Sequence, residues 1–294
     1  MDFTKSSPFR MIGLGEDEKI TALDNISATI SCQGPIACVG DSGSGKSTFL
    51  NLLSGKLTPT KGSINISPQG TQVVYLEKGF SFAAGQTILE NLVAAFSEEQ
   101  MTGPSKLTPE ELAVAVASIA SMVGLKERLH SGVKARDLSG GEVLSFGIAL
   151  ALARGCRRNP QAPDTLLPPV LALDEFLDSE DSRVRVKVEA MLKRLTRDQG
   201  VGVLFSTHDM NAACELADEV LVFCAGHIIQ QAAPADTAYI RSQYEALVKK
   251  YRREVKTSQA FDRTMDNLWH LRPPNAGKSP GLGLGPTDTV AVSP

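Results

Sequence analysis

Gly40-Asp41-Ser42-Gly43-Ser44-Gly45-Lys46-Ser47 lies between a short apolar run, Pro35-Ile36-Ala37-Cys38-Val39, and a helical pattern from Ser47 through Thr48 to Leu53. The order of buried strand, glycine loop and helix leaves few folds open to this chain. The eight residues fit the phosphate-loop pattern GxxxxGK[ST]. Glycines let successive backbone N–H groups curl around a phosphate, because no side chain blocks the approach. The helix that follows points its positive end at the same anion. In such a loop Lys46 reaches the β- and γ-phosphates, and the Ser47 hydroxyl ligates Mg²⁺. A merely flexible glycine loop has no need of a strand before it and a helix after it.

The rest of the chain agrees with an α/β core. Val170–Leu173, Val201–Phe205 and Val220–Phe223 are continuous apolar runs. Parallel strands covered on both faces read this way, and their alternation with helical patterns argues α/β layering. Ser182 to Arg197 reads as a charged amphipathic helix, and Pro160 to Pro169 as a proline-bearing loop. Thr108-Pro109-Glu110-Glu111 is a helix start, with Thr108 as N-cap, Pro109 in the first turn and Glu111 reaching back.

The chain has 294 residues, 42% hydrophobic and 21% charged, with a net charge of −3. A nucleic-acid partner is not expected from that balance. The five cysteines are scattered, with no CxxC, which suits buried free thiols in a reducing cytosol. Its longest apolar run, near Phe146–Ala153, falls well short of the roughly 18 residues a membrane span needs. Met1–Lys5 lacks a signal-peptide pattern. The expected location is cytoplasmic, so any membrane role needs a partner. Tyr239, Ile240, Tyr244, Leu247, Val248 and Tyr251 recur at helical spacing, opposite Lys249, Lys250, Arg252, Arg253 and Lys256. That helix either packs on the main domain with a solvated basic face, or meets a membrane surface or partner. The last stretch, 272–294, is rich in Pro, Gly, Ser and Thr and reads as disordered.

Three further segments carry chemistry. Val170–Leu173 ends in Asp174-Glu175, and a parallel strand delivers its C-terminal end to a ligand crevice. Asp174 would hold Mg²⁺, and Glu175 would orient and deprotonate an attacking water. Leu138-Ser139-Gly140-Gly141-Glu142 opens another helix. Ser139 and Glu142 form a capping box, and the glycine pair leaves bare N–H groups that make a second anion surface. One nucleotide does not need two phosphate sites in one chain, unless the second serves a partner's nucleotide. Phe205-Ser206-Thr207-His208-Asp209 ends a further strand, where His208 can touch a γ-phosphate.

Phosphate loop, LSGGE, strand with Asp-Glu, then strand with His: in this order the motifs resemble those of the nucleotide-binding subunits of ATP-binding cassette (ABC) transporters, over about residues 9–235. The resemblance implies a P-loop NTPase fold with a RecA-like core, an antiparallel β subdomain, and an inserted helical subdomain at about 82–152. A helical extension over 236–271 would follow. It implies ATP and Mg²⁺ as cofactors, with Gly40 to Thr48 on the phosphates, Ser47 and Asp174 on the metal, and Lys46, Glu175 and His208 at the reacting phosphate. It also implies a head-to-tail dimer, as a homodimer or with a related ATPase subunit. There Ser139, Gly140 and Gly141 close on the partner's ATP. Phe9 is the upstream aromatic at the separation expected for adenine stacking. Asp178-Ser179-Glu180-Asp181 occupies the dimer-contacting turn. Thr87–Asn91 resembles the segment that receives a polytopic transmembrane subunit, which would hold the chain on the cytoplasmic face of a membrane. The run from Asp174 to Arg185 is similar to importers for nitrate, sulfonate or taurine.

The sequence departs from the family where Lys78 stands at the position of a glutamine. An ammonium cannot ligate Mg²⁺, so altered metal coordination and slow turnover are expected, with Glu77 or Gln86 as substitutes. Phe176 stands where many relatives have proline, and Ser145 where they have a basic residue. The rival readings are a non-transport ABC ATPase and a slow nucleotide-dependent regulatory switch. The segment between Lys46 and Leu138 is too short for the long coiled coil of the DNA-acting kind.

Overall fold

The computed structural model describes residues 2–3, 20–96, 106–178, 182–232, 239, 242, 244, 246, 248–250 and 289–293. Along the chain, β1 (Asp2–Phe3) and β2 (Ile20–Thr21) pair antiparallel. β3 (Ala28–Ser31) alternates buried and exposed positions, whereas β4 (Ile36–Val39) is buried throughout. The glycine loop then leads into α1 (Lys46–Leu53). β5 (Ser63–Ile66) and β6 (Val73–Glu77) follow.

Next come α2 (Ile88–Ala95), α3 (Pro109–Met122), α4 (Lys126–His130) and α5 (Gly140–Gly155). The start of α3 is as expected: Glu111 N–H donates to Thr108 Oγ1 at 3.2 Å, and its carboxylate accepts from Thr108 N–H at 2.7 Å. Thr87 and Glu90 cap α2 in the same way. β7 (Arg157–Asn159) and β8 (Ala162–Leu167) precede β9 (Val170–Asp174). The chain continues through α6 (Ser182–Gln199), β10 (Gly202–Thr207), α7 (Met210–Leu216), β11 (Glu219–Cys224) and β12 (His227–Ala232), and β13 (Thr289–Ser293) comes last.

The main sheet has six strands in the order β12-β11-β4-β10-β9-β6. All of its pairings are parallel except β11 with β12. Its two faces bury different cores. Ala37, Val39, Leu171, Leu173, Val203 and Phe205 join α5 and α6 on one side. Ile36, Cys38, Val170, Ala172, Leu204 and Leu221 join Phe49, Leu50 and Leu53 of α1 on the other. The strand period of two divides each apolar run between the two layers, which is why these strands carry no polar alternation. None of the five cysteines is in a disulfide, and Cys32, Cys38 and Cys224 are buried, as the sequence leads one to expect.

Two sequence expectations are revised. The proline-bearing loop at 160–169 contains β8, which pairs antiparallel with β7 across a register shift at Arg158/Asn159. Prolines are compatible with a two-stranded pair, where edge positions need no ladder donor. Arg158 ties this hairpin to the start of α3, donating to Glu111 Oε2 at 2.7 Å and to Lys106 O at 3.2 Å. Near the N-terminus β1 and β2 form an antiparallel pair, and β13 pairs parallel with both β3 and β5. β3 and β5 are separated by β4, the loop and α1, a connection long enough for a parallel crossover. β13 itself lies in the tail expected to be disordered. Its Thr-Val-Ala-Val-Ser sequence is rich in β-branched residues, which favour a pleated strand.

Helical residues recur between Tyr239 and Lys250. Val248 is buried in the α5–α6 core, and Tyr239 and Tyr244 pack against it.

Leu204 is fully buried in the central strand of the α1-side core. Leu204→Ala is expected to lower unfolding free energy by about 2–5 kcal/mol, read as a fall in the midpoint of chemical denaturation.

Candidate functional site

The glycine loop is held in shape by backbone hydrogen bonds. Ser44 N–H donates to Asp41 O at 3.1 Å, which closes its turn, and Gly226 N–H donates to Ser44 O at 3.0 Å from behind. Gly45 has φ +107, and a Cβ there would lie 2.5 Å from Leu23 and 3.0 Å from the Ala22 carbonyl, so glycine is required on both counts. On the other side, a Cβ on Gly43 would meet nothing within 4 Å. Ser42, Gly43 and Ser47 are exposed along this open side, with Asp41, Gly45 and Thr48 half-buried. Gly45 caps α1 without a side-chain hydrogen bond, and its first turn carries no acidic residue. The helix start therefore keeps its positive character. Ser44 Oγ is buried and takes no hydrogen bond among the described residues, which fits a loop whose polar partner is a ligand.

Lys46 is buried with its ammonium folded back on the loop, donating to Gly40 O at 2.8 Å and Asp41 O at 3.0 Å. Burial lowers its pKa, against the opposing pull of Glu175 and Asp174.

Asp174, at the end of β9, gathers three elements. Its Oδ1 accepts from Ser47 Oγ at 3.0 Å and from Ser206 Oγ at 2.5 Å, and its Oδ2 accepts from the Tyr75 hydroxyl at 2.6 Å. Ser206 in turn accepts from Glu175 N–H at 2.8 Å. Glu175 holds φ +48, a left-handed conformation uncommon for a residue with a side chain. Its carboxylate is exposed. Asp178 joins the ends of β6 and β10. Its Oδ1 accepts from Thr207 Oγ1 at 2.8 Å, its Oδ2 lies 2.9 Å from His208 Nδ1, and its backbone oxygen accepts from Lys78 Nζ at 2.8 Å. Lys78 thus points at the turn after Glu175. The backbone of Gln86 is held instead by Ala83 and Ala135.

Ser139, Gly140 and Gly141 head α5. The Glu142 carboxylate accepts from Ser139 Oγ at 2.7 Å and Ser139 N–H at 2.9 Å, and Arg128 Nε donates to it at 2.7 Å. A Cβ on Gly140 would meet nothing within 4 Å, whereas one on Gly141 would lie 3.4 Å from Val184. Phe9 and Ser179–Asp181 lie outside the described residues. Hydrogen bonds join Ser47, Asp174, Ser206 and the Glu175 backbone, a second set joins His208 and Thr207 to Asp178, Lys46 bonds the loop carbonyls beside them, and Ser139 and Gly140 are exposed. Sequence reasoning missed Tyr75, Ser206 and the Asp178 side chain. Ser206 had a local signal, being the hydroxyl beside Thr207-His208.

The donor set is hard oxygen, a serine hydroxyl and a carboxylate facing each other, which suits Mg²⁺ rather than a soft metal. Among the described residues no three His, Cys, Asp or Glu side chains cluster as a complete metal cage. A cation here would complete its shell with phosphate and water, as Mg²⁺ commonly does. Among the described residues, no helix is long and apolar enough to cross a membrane.

The chain is similar to known proteins in sequence and fold. The profile of the family described as ABC transporter matches residues 23–157. The spermidine/putrescine import ATP-binding protein PotA of Mesorhizobium japonicum is 29% identical over 77% of this chain and 59% of its own length. The sulfate/thiosulfate import ATP-binding protein CysA of Brucella melitensis is 30% identical over 74% of this chain and 59% of its own. The energy-coupling factor transporter ATP-binding protein EcfA2 of Clostridium perfringens is 29% identical over 72% of both chains. The chain spans 59% of the length of PotA and of CysA. Among solved structures, the dimeric post-hydrolysis state of the ATP-binding cassette MJ0796 bound to ADP and Pi superposes with a TM-score of 0.58. It is 25% identical, over 75% of this chain and 94% of that one.

The start of α5 carries its own titration test. Hydrogen bonds from the Ser139 side chain, then its backbone, then Arg128 depress the Glu142 pKa from 4.5 to about 2. A depressed carboxylate stabilises fully above its ordinary pKa and loses that contribution as pH falls through the folded value. The stabilisation is therefore complete above pH 4.5 and lost toward pH 2. Carboxyl NMR titration is expected to show the Glu142 pKa rising in Arg128→Ala, and rising further in Ser139→Ala.

Proposed function

We propose, on the premise that this chain carries an ABC transporter ATP-binding domain, that it binds ATP with Mg²⁺ and hydrolyses it to ADP and phosphate to drive a membrane transporter. The observation that carries this reading is the 3.0 Å contact between Ser47 Oγ and Asp174 Oδ1. It joins the phosphate-loop hydroxyl to a carboxylate far along the chain, the pair a nucleotide-bound Mg²⁺ needs.

The roles divide by position. Backbone N–H groups from Gly40 to Thr48 and the start of α1 would bind the phosphates. The Lys46 ammonium would turn from the loop carbonyls to the β- and γ-phosphates, exchanging backbone oxygens for phosphate oxygens. Ser47 and Asp174 would hold Mg²⁺, which supplies charge neutralisation across the phosphates when bound. Glu175, fixed through its backbone by Ser206, would take a proton from the attacking water. His208, with Nδ1 facing Asp178, has Nε2 left to meet the γ-phosphate. The turn at Ser139–Gly141 would close on the nucleotide of a second subunit, giving a head-to-tail dimer with a copy or a related ATPase. The relatives named above are import or energy-coupling ATP-binding proteins, which supports a polytopic transmembrane partner and a peripheral place on the cytoplasmic face. The domain would run over residues 1–235 with its helical subdomain at about 82–152, followed by the helical extension to 271.

Steady-state ATPase assays, beside size-exclusion chromatography with and without ATP, test this reading. Glu175→Gln is expected to reduce turnover by about 10²–10⁴-fold and to hold an ATP-dependent dimer. Full activity in the variant would overturn the assigned base. ATP binding by neither protein would overturn the function.

Lys78 adds a second expectation. Its contact with Asp178 O puts an ammonium where the family carries an amide, and this favours slow turnover. Lys78→Gln is expected to raise the basal rate. An unchanged rate would remove the residue from that role.

A further inference from the structure

We infer that Tyr75 is a positioning residue, whose hydroxyl holds the Asp174 carboxylate so that one oxygen faces Ser47 and the bound metal. The inference rests on the metal–nucleotide reading above. β6 lies beside β9 with Tyr75 opposite Ala172 and Glu77 opposite Asp174. Tyr75 and Asp174 are therefore diagonal neighbours on one face of the sheet, within reach of a long aromatic side chain.

The two carboxylate oxygens have separate partners. Oδ1 takes Ser47 and Ser206, while Oδ2 takes Tyr75 at 2.6 Å. A carboxylate that offers one oxygen to a metal keeps its orientation through what holds the other. The serines fix Oδ1 from the loop and from β10, and the phenol fixes Oδ2 from the opposite strand. Without the phenol the carboxylate can turn about its Cβ–Cγ bond, pivoting on Oδ1.

The phenol is itself held. The Lys56 ammonium sits 3.9 Å from the ring centroid, a cation–π contact from the residue stretch just after α1. The ring packs against the α1-side core. Phenylalanine at this position would keep the ring, the core contact and the lysine, and would remove the Oδ2 donor alone.

The test uses the full chain and Tyr75→Phe, with Mn²⁺ as probe in the presence of a non-hydrolysable ATP analogue. Free and bound Mn²⁺ are counted by electron paramagnetic resonance. The expected result is a loss of Mn²⁺ affinity of about 10–100-fold, the range for removing a partner of a metal ligand. Analogue binding in EDTA and the thermal midpoint stay as in the parent. In turnover assays the Mg²⁺ concentration for half-maximal rate rises, and kcat at saturating Mg²⁺ returns to near the parent value. Equal Mn²⁺ affinity in parent and variant would overturn the role of Tyr75 and leave the ATPase reading standing. A parent that takes up no Mn²⁺ with the analogue would overturn both.

Discussion

A parallel sheet covered on both faces has no room for a polar group except at its strand ends, and the whole arrangement follows from that. β4, β9 and β10 bury nearly every side chain along their length. Because the strands run the same way, their C-terminal ends share one edge. Gly40 follows β4, Asp174 closes β9, Ser206 and Thr207 close β10, and Glu77 closes β6. Hydroxyls and carboxylates excluded from two apolar layers therefore meet in one line. The network around Asp174 is a by-product of the packing as much as a local design.

The parts legible in the sequence were those whose signal is local. The glycine loop, the capping boxes at Thr108 and Ser139, and the apolar runs of β4, β9, β10 and β11 each declare themselves within a few residues. Tyr75 did not, since nothing near it in the sequence says that it will face a carboxylate. That contact depends on β6 pairing with β9 in a particular register, a fact of the sheet. Asp178 was placed in a turn, but its reach to Thr207 and His208 again needs neighbouring strands. The β7–β8 hairpin was hidden by its prolines, whose usual meaning is a break. β13 pairs with strands more than two hundred residues earlier, a separation no local pattern can express.

Aromatic packing accounts for one position in the sequence. Phe176 is fully buried, and its ring centroid lies 6.3 Å from that of Phe80. Phe80 touches Phe82, which meets Phe146 of α5 edge-on at 5.5 Å. Gly147 lets the Phe80 ring lie against α5, since a Cβ there would come within 2.5 Å of it. The segment after β6, the turn after Glu175 and the body of α5 are thus clasped through one apolar cluster. Ring contacts therefore join α5 to the strand ends that carry Glu77 and Asp174, and salt screens such apolar contacts little.

The back of the phosphate loop carries the last lesson. Gly226 donates to Ser44 O, and Gly40 lies so close to the Phe223 carbonyl that a Cβ would come within 2.3 Å. The β11–β12 turn therefore acts as a mould against which the loop sets during folding. The conformational entropy of ordering those glycines is lost when the chain folds, and little remains to be lost when an anion arrives. On the reading proposed above, part of the affinity for phosphate would be stored in a turn behind the loop. Loosening that turn would weaken binding while every residue facing the anion stayed unchanged.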